Sequence, residues 1–366
     1  MQNPGYMAYM NILFRFACVL LLSAATAQAQ TASSASAQWQ RIELGATDAR
    51  YPFSIYSNKA WRGDMRDVSK AVLVFHGVGR NGDDYYAAAE KLLAVSGASN
   101  DAVLLIAPNF FSRADARKHA IDGLPLWEGD KGWNGGWDAA NWPRPLSSFA
   151  PIDDMLAALL DKTRFPGLRQ ITLAGHSGGG QIVHRYAVLN SMDEKVRAAG
   201  KRINYIIANP SSYLYFTSER PVADGKSFAP FDAASCPGYD DYRHGMRAMV
   251  RYAGNVEGAA LYQRYAARDV AYLLGTADND PNHRAIDKSC MAKAGGAFRL
   301  ARGRNYLRYE KYLANAATVL NHQGYEVIDV DHDQARMFGS KCGARLLFGW
   351  GEEKNTAGAA CRAPAL

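Results

Sequence analysis

The stretch ITLAGHSGGGQIVHRYA, from Ile171 to Ala187, places four glycines around one serine. Small and apolar residues run into Gly175, His176 and Ser177 follow, then Gly178, Gly179 and Gly180, then an amphipathic segment. That order predicts a strand, a very sharp turn and a helix. Gly175 and Gly179 bracket Ser177 as Gly-x-Ser-x-Gly. Between a strand and a helix, those glycines keep side chains out of a crowded turn and hold the serine in a strained, exposed position. The N-terminus of the new helix then points N–H groups and the positive end of its dipole towards the serine, where an oxyanion would be stabilised. A phosphate cradle fits less well. There is no Gly-Lys-Ser/Thr, the glycine spacing does not match Gly-x-Gly-x-x-Gly, and the next apolar run ends in Asn209 where a ribose-binding site needs an acid.

Outward from this turn, apolar runs alternate with helical ones. AVLVFHG from Ala71, DAVLLIAP from Asp101, QITLAG from Gln170, INYIIANP from Ile203, DVAYLLG from Asp269 and YEVIDV from Tyr325 predict strands. DDYYAAAEKLLAV from Asp83 and PIDDMLAALLDKT from Pro151 predict helices, the second opening on proline and acids. Continuous aliphatic strands separated by helices indicate a mostly parallel sheet covered on both faces, an α/β architecture. Two stretches break the rhythm. One spans 111–149 and carries Trp127, Trp133, Trp137 and Trp142; the other spans 211–268. Both are expected as lid-like insertions leaving the carboxyl ends of strands, where open α/β sheets bind ligands.

A nucleophilic serine requires three partners. The first is a second oxyanion donor beside the N–H of Gly178. His76-Gly77-Val78-Gly79 follows a strand upstream and would supply it from the backbone of Val78 or Gly79. The His76 side chain itself is assigned a packing role beneath that loop. The second partner is a base. Of eight histidines, His332 follows the last strand run and precedes a short helical segment, the place for a base in this chain order. His176 adjoins the serine, but neighbouring side chains diverge in such a turn. The third partner is an acid, and LLGTADNDPNH offers Asp278 and Asp280 after the strand ending at Gly275. Asp278 is preferred as the nearer to the strand end, with Asp280 left open.

The rest of the chain narrows the class. With 366 residues and 48% hydrophobic content, it is long enough for a full core. NILFRFACVLLLSAATAQAQ, with Arg15 before a short apolar core and Ala27-Gln28-Ala29 after it, predicts a signal peptide over 1–29 and a soluble exported chain from 30 to 366. Removing it leaves Cys236, Cys290, Cys342 and Cys361, an even count that suggests two disulfides in an exported protein. Sequence proximity favours Cys236 with Cys290 and Cys342 with Cys361. None forms a Cys-x-x-Cys pair, which argues against zinc and thioredoxin-type redox chemistry. Net charge is +7, with one basic enrichment, RLARGRNYLRYEKY from Arg299, read as a solvated helix face. No nucleic-acid-binding module is recognisable. No apolar run reaches the roughly 18 residues of a membrane span. Oligomeric state is left open.

Through GHSGG, HGVG, GTAD and DHD the chain resembles the α/β-hydrolase superfamily from about Ala71 to Trp350. Within it the chain is similar to secreted serine esterases and polyester depolymerases, and more loosely to peptidase-type members. The resemblance implies a nucleophile at Ser177, an acid at Asp278, a base at His332, an oxyanion hole from the HGVG loop and Gly178, and no cofactor. It therefore implies a serine hydrolase of carboxylic esters, with amide hydrolysis, polymer hydrolysis and a catalytically dead binding module as alternatives. The loop reads His-Gly-Val-Gly and not His-Gly-Gly-Gly, so the substrate preference of the latter type does not transfer. Trp133 and Trp137 are candidate substrate contacts.

Overall fold

The apolar runs are strands because their side chains serve two faces at once. In Lys70–Phe75, Val72 and Val74 join one buried cluster, while Ala71, Leu73 and Phe75 join the other. A strand covered on both sides has no polar face to show, so its sequence reads as unbroken hydrophobicity. Each fully buried aliphatic or aromatic side chain contributes about 1.5–3 kcal/mol.

The computed structural model describes residues 39–129, 132–222 and 225–366. The segment expected as a signal peptide, 1–29, lies outside them. In chain order the strands are β1 (Trp39–Leu44), β2 (Tyr51–Ser57), β3 (Lys70–Phe75), β4 (Val103–Asn109), β5 (Gln170–His176), β6 (Arg202–Ala208), β7 (Glu219–Pro221), β8 (Phe228–Pro230), β9 (Asp269–Gly275), β10 (His322–Val327) and β11 (Cys361–Arg362). The helices are α1 (Gly82–Val95), α2 (Arg113–Lys118), α3 (Ala150–Leu159), α4 (Gly178–Leu189), α5 (Met192–Ala198), α6 (Gly258–Ala266), α7 (Cys290–Lys293), α8 (Arg299–Leu313), α9 (Gln334–Phe338) and α10 (Lys341–Phe348).

Nine strands form one sheet in the order β1-β2-β4-β3-β5-β6-β9-β10-β11. From β4 to β10 every pairing is parallel; β1, β2 and β11 are antiparallel additions at the edges. This is an α/β-hydrolase fold. β3 is flanked by β4 on one side and β5 on the other. Accordingly α1, which joins β3 to β4, packs on one face, and α3, which joins β4 to β5, packs on the other. Connections that leave in opposite directions open a crevice at the carboxyl ends of β3 and β5. The HGVG loop and Ser177 both sit there.

Three features differ from the sequence expectation. The antiparallel β1 and β2 were not foreseen: they are edge strands with a mixed burial pattern, and β2 contains Pro52, which demotes a strand signal. The stretch 211–268 ends in an ordinary helix, α6, whose Leu261, Tyr262 and Tyr265 belong to the main core. The basic run from Arg299 is not a solvated face. In α8, Arg299 and Arg302 are each only 1% exposed, because the helix carries them under the loops that follow β6 and β9. Disulfides join Cys236 to Cys290 and Cys342 to Cys361, the pairing that sequence proximity favoured. No described helix is long and apolar enough to cross a membrane.

Candidate active site

Ser177 caps α4 with φ 59° and ψ −119°, a region that side-chain-bearing residues rarely adopt. The surrounding backbone imposes it. A Cβ on Gly175 would overlap the carbonyl oxygen of Gly179, and a Cβ on Gly179 would overlap that of Phe75. Strand, turn and helix therefore pack backbone against backbone, and the Ser177 N–H is tied to the Ala208 carbonyl at 2.9 Å. The serine side chain is left to project at the end of the sheet.

His332 Nε2 lies 2.9 Å from Ser177 Oγ, and His332 Nδ1 lies 2.7 Å from Asp278 Oδ2. Ser177, His332 and Asp278 are thus joined in one hydrogen-bonded line, each from the end of a different strand. Asp280 is elsewhere: it is exposed, and its Oδ1 accepts the Asn282 N–H at 2.8 Å. The two residues diverge because the chain turns immediately after β9. The second oxygen of Asp278 accepts from Arg299 Nη1 at 3.0 Å. Burial pushes the Asp278 carboxyl up, but the hydrogen bonds and charges of His332 and Arg299 outweigh it and hold the carboxyl below its usual range. Asn209, just past β6, links two of the segments that carry this line, the end of β9 and the loop after β10. Its Oδ1 accepts the Gly275 N–H at 2.9 Å and its Nδ2 donates to the Asp331 carbonyl at 3.3 Å, next to His332.

The HGVG loop lies against the start of α4. A Cβ on Gly178 would come 3.1 Å from the Val78 nitrogen, so the N–H groups of Val78 and Gly178 are neighbours. The Val78 N–H has no hydrogen-bond partner among the described residues. Gly79 continues the turn and lines both the cavity over Ser177 and a second cavity. The His76 side chain is fully buried beneath the loop, accepting the Phe110 N–H at 3.0 Å. A cavity of about 510 Å³ opens over Ser177, walled by Gly77, Val78, Tyr85, His176, His283 and His332.

Two further histidines flank His332: His176, from the turn itself, and His283, which no motif singled out. The His176 ring lies 4.4 Å from that of His332, with Nδ1 3.2 Å from the Tyr85 hydroxyl; burial, then the charges of His332 and Arg299, push its pKa well down. The His283 ring meets His332 edge-on at 5.0 Å. The Nδ1 of His283 faces the Ala285 N–H and both terminal nitrogens of Arg299, so that atom is an acceptor and Nε2 carries the proton. Arg299 was missed because one arginine in a basic helix is indistinguishable from its neighbours by sequence.

The tryptophans separate. Trp133 is 4% exposed, stacked on Phe110 at 5.4 Å and against His76 at 4.3 Å; one edge reaches a cavity of about 630 Å³ beside the serine. Trp137 is half-buried against Tyr242 at 5.3 Å, and the lining of neither cavity near the serine includes it. Gly135 accommodates its ring, since a Cβ there would overlap it.

No protein-family model matches the sequence, and no curated protein matches it. Solved structures do. Poly(aspartic acid) hydrolase-1 from Sphingomonas sp. KT-1 superposes with a TM-score of 0.58 at 21% identity, over 84% of this chain and 98% of that one. The poly(3-hydroxybutyrate) depolymerase LpqC from Bordetella parapertussis gives 0.60 at 21% identity, over 90% and 91%. At that identity the likeness is one of fold.

Proposed function

We propose that this chain is a serine hydrolase of carboxylic esters that works through an acyl-enzyme. The observation that carries the proposal is the line Ser177–His332–Asp278, closed at 2.9 and 2.7 Å beside the paired N–H groups of Val78 and Gly178. His332 Nε2 takes the proton from Ser177 Oγ as the oxygen attacks the acyl carbon. The oxyanion forms next to Gly178 and Val78; one such donor is typically worth about 10²–10³ in rate. His332 gives the proton to the leaving alkoxide. Water then adds to the acyl-enzyme, with His332 as base again. Asp278 fixes the imidazole tautomer and stabilises the imidazolium, and Arg299 holds Asp278 ionised and in place. No step requires a cofactor.

Polymer hydrolysis is the second reading. It is favoured by the extent of the groove, because Val78, Arg284 and Ala285 wall both the cavity over Ser177 and the neighbouring 630 Å³ cavity. The two structural neighbours above are named for polymer hydrolysis. Export with cleavage after Ala29 is part of the proposal, supported by two disulfides that suit an oxidising compartment.

A fluorophosphonate probe and a series of p-nitrophenyl esters of rising chain length provide the test. The protein should label at one serine and turn over short esters. Ser177→Ala should lose labelling and about 10⁴–10⁶ in kcat with its melting temperature retained. Undiminished labelling of that variant would remove Ser177 from the mechanism.

A further inference from the structure

Behind the wall of the 630 Å³ cavity beside the serine lies a buried cation, Arg185, that makes no ion pair among the described residues. Gln181 and Arg185 lie one turn apart on the same face of α4, the helix that Ser177 caps. Arg185 is 0% exposed, and no carboxylate among the described residues lies within ion-pair distance of it. Its guanidinium donates only to neutral oxygens: the Asn134 carbonyl at 2.9 Å, Gln181 Oε1 at 3.3 Å, Ser212 Oγ at 2.9 Å and the Arg243 carbonyl at 3.4 Å. Burial, then the charge of Arg243, pushes its pKa down to about 9, which leaves it protonated at neutral pH. A buried guanidinium is ordinarily matched by a carboxylate, because desolvating a lone charge is costly.

Gln181 transmits that charge to the cavity wall. Arg185 has only donors, so the amide oxygen of Gln181 must face it; the same oxygen also accepts from Asn134 Nδ2 at 2.6 Å. The –NH2 of Gln181 has no partner among the described residues, although the side chain is 96% buried and lines the cavity. A polarised donor therefore points into the space beside the nucleophile. At the rim, Arg80 and Arg243 are matched by Asp115 and Asp287. Arg284 and Lys288 are exposed, have no partner among the described residues, and share the wall with two carboxylates, Glu128 and the Asp287 that pairs with Arg243. Arg284 also lines the cavity over Ser177, so it stands where the two spaces meet.

We infer that this cavity is a subsite for a carboxylate, bound by the Gln181 amide and Arg284 with Lys288 at the rim, and that the substrate is an ester bearing a free carboxylate on its acyl part. The inference rests on the proposed serine hydrolysis for its kinetics but not for its binding. In a cavity partly shielded from water, a carboxylate accepting a charge-assisted pair of bonds gains more than it would at an open surface. Of the two carboxylates on the wall, Asp287 is engaged by Arg243, so Glu128 alone opposes the unpaired Arg284 and Lys288, and the balance favours an anionic group.

Two substrates with one leaving group and equal chain length test this: the mono-p-nitrophenyl ester of glutaric acid and p-nitrophenyl pentanoate. The expected result is a kcat/KM at least about tenfold higher for the carboxylate substrate. That ratio should collapse in Arg284→Gln and shrink as NaCl is raised, because screening weakens a partly exposed charge contact. Gln181→Leu should lower it by raising KM for the carboxylate substrate more than for the neutral one. Equal efficiency, or a preference for the pentanoate, would overturn the subsite while leaving the hydrolase reading intact. If neither ester is hydrolysed, the hydrolase reading fails, and calorimetry on the same protein decides the subsite alone. Binding of glutarate but not glutaramide, weakened several-fold in Arg284→Gln, sustains it; equal binding or none refutes it.

Discussion

Arg185 and Arg299 are both sealed from solvent, at 0% and 1% exposure, and both lie within reach of the cleft that contains Ser177. Arg299 meets the carboxylate of Asp278 at 3.0 Å. Arg185 meets only carbonyl, amide and hydroxyl oxygens. One charge is neutralised inside the protein and holds Asp278 in the hydrogen-bonded line proposed as catalytic. The other has no ion-pair partner among the described residues, and it reaches the wall of the neighbouring cavity only through Gln181. Burial alone does not tell a structural arginine from a functional one; the nature of its partners does.

The largest expected effect comes from breaking the neutralised side at its centre. Asp278→Asn removes the charge that orients and stabilises His332, and should cost about 10⁴ in kcat, the size of the loss in the serine-protease example. It also strands Arg299 without its carboxylate, so stability should fall as well. Asp280→Asn, at an exposed residue turned towards Asn282, should change kcat less than about threefold. Assaying both on one activated ester separates the two. A severe loss at Asp280 with near-normal turnover at Asp278 would reassign the acid.

Arg299→Gln comes next. The amide keeps a donor for Asp278 but removes the charge. We expect a 10–100-fold loss in kcat and a stability loss of about 3 kcal/mol, the lower end for one partner of a buried pair, because Asp278 keeps His332. The pH dependence fixes the mechanism. The folded-state pKa of Asp278 lies below its ordinary value, so the stability it contributes is present above the unfolded pKa and is lost as pH falls through the folded one. Without Arg299 the folded pKa moves up and that contribution shrinks. Melting temperature measured from pH 7 down to pH 3 should therefore fall earlier in the variant than in the wild type. Parallel acid limbs would mean that Arg299 acts through packing alone.

The comparison also marks what the sequence disclosed. Parallel strands buried on both faces announce themselves as aliphatic runs, and β3, β5, β6 and β9 were legible for that reason. The turn at Ser177 was legible because only glycines tolerate backbone that close. His332 and the 278–280 acids were legible from chain order at the strand ends. Nearness to the strand end favoured Asp278 over Asp280, but the turn of the loop that separates the two was not legible. Nor was Arg299 or Arg185. Each sits in a helix whose composition reads as ordinary, and their burial comes from loops packed over them from far along the chain. β1 and β2 escaped notice because edge strands lack the continuous run, and Trp133 and Trp137 read alike although only Trp133 reaches a cavity wall.

Arg185→Met carries the smallest expected effect and tests the comparison most directly. The substitution frees the protein from desolvating a guanidinium, which offsets part of the loss. It leaves the Asn134 carbonyl, Ser212 Oγ and the Arg243 carbonyl without that donor, at a cost of about 1–3 kcal/mol for each acceptor that water cannot reach. The cavity next to Asn134 and Gln181 gives water access to part of this cluster, so the net loss should be about 1–2 kcal/mol, less than for Arg299→Gln. Turnover of p-nitrophenyl pentanoate should fall only a few-fold, since Arg185 touches none of Ser177, His332 or Asp278. The kcat/KM ratio for the glutarate monoester over the pentanoate should fall too, because the polarised Gln181 amide loses its backing charge and its fixed orientation. Chemical denaturation of the two arginine variants side by side, with the ester pair assayed on each, reads both quantities. A stability loss at Arg185 equal to or larger than that at Arg299, with the ester ratio unchanged, would show that both guanidiniums are structural. The distinction between a neutralised and an uncompensated buried charge would then have no functional content in this fold.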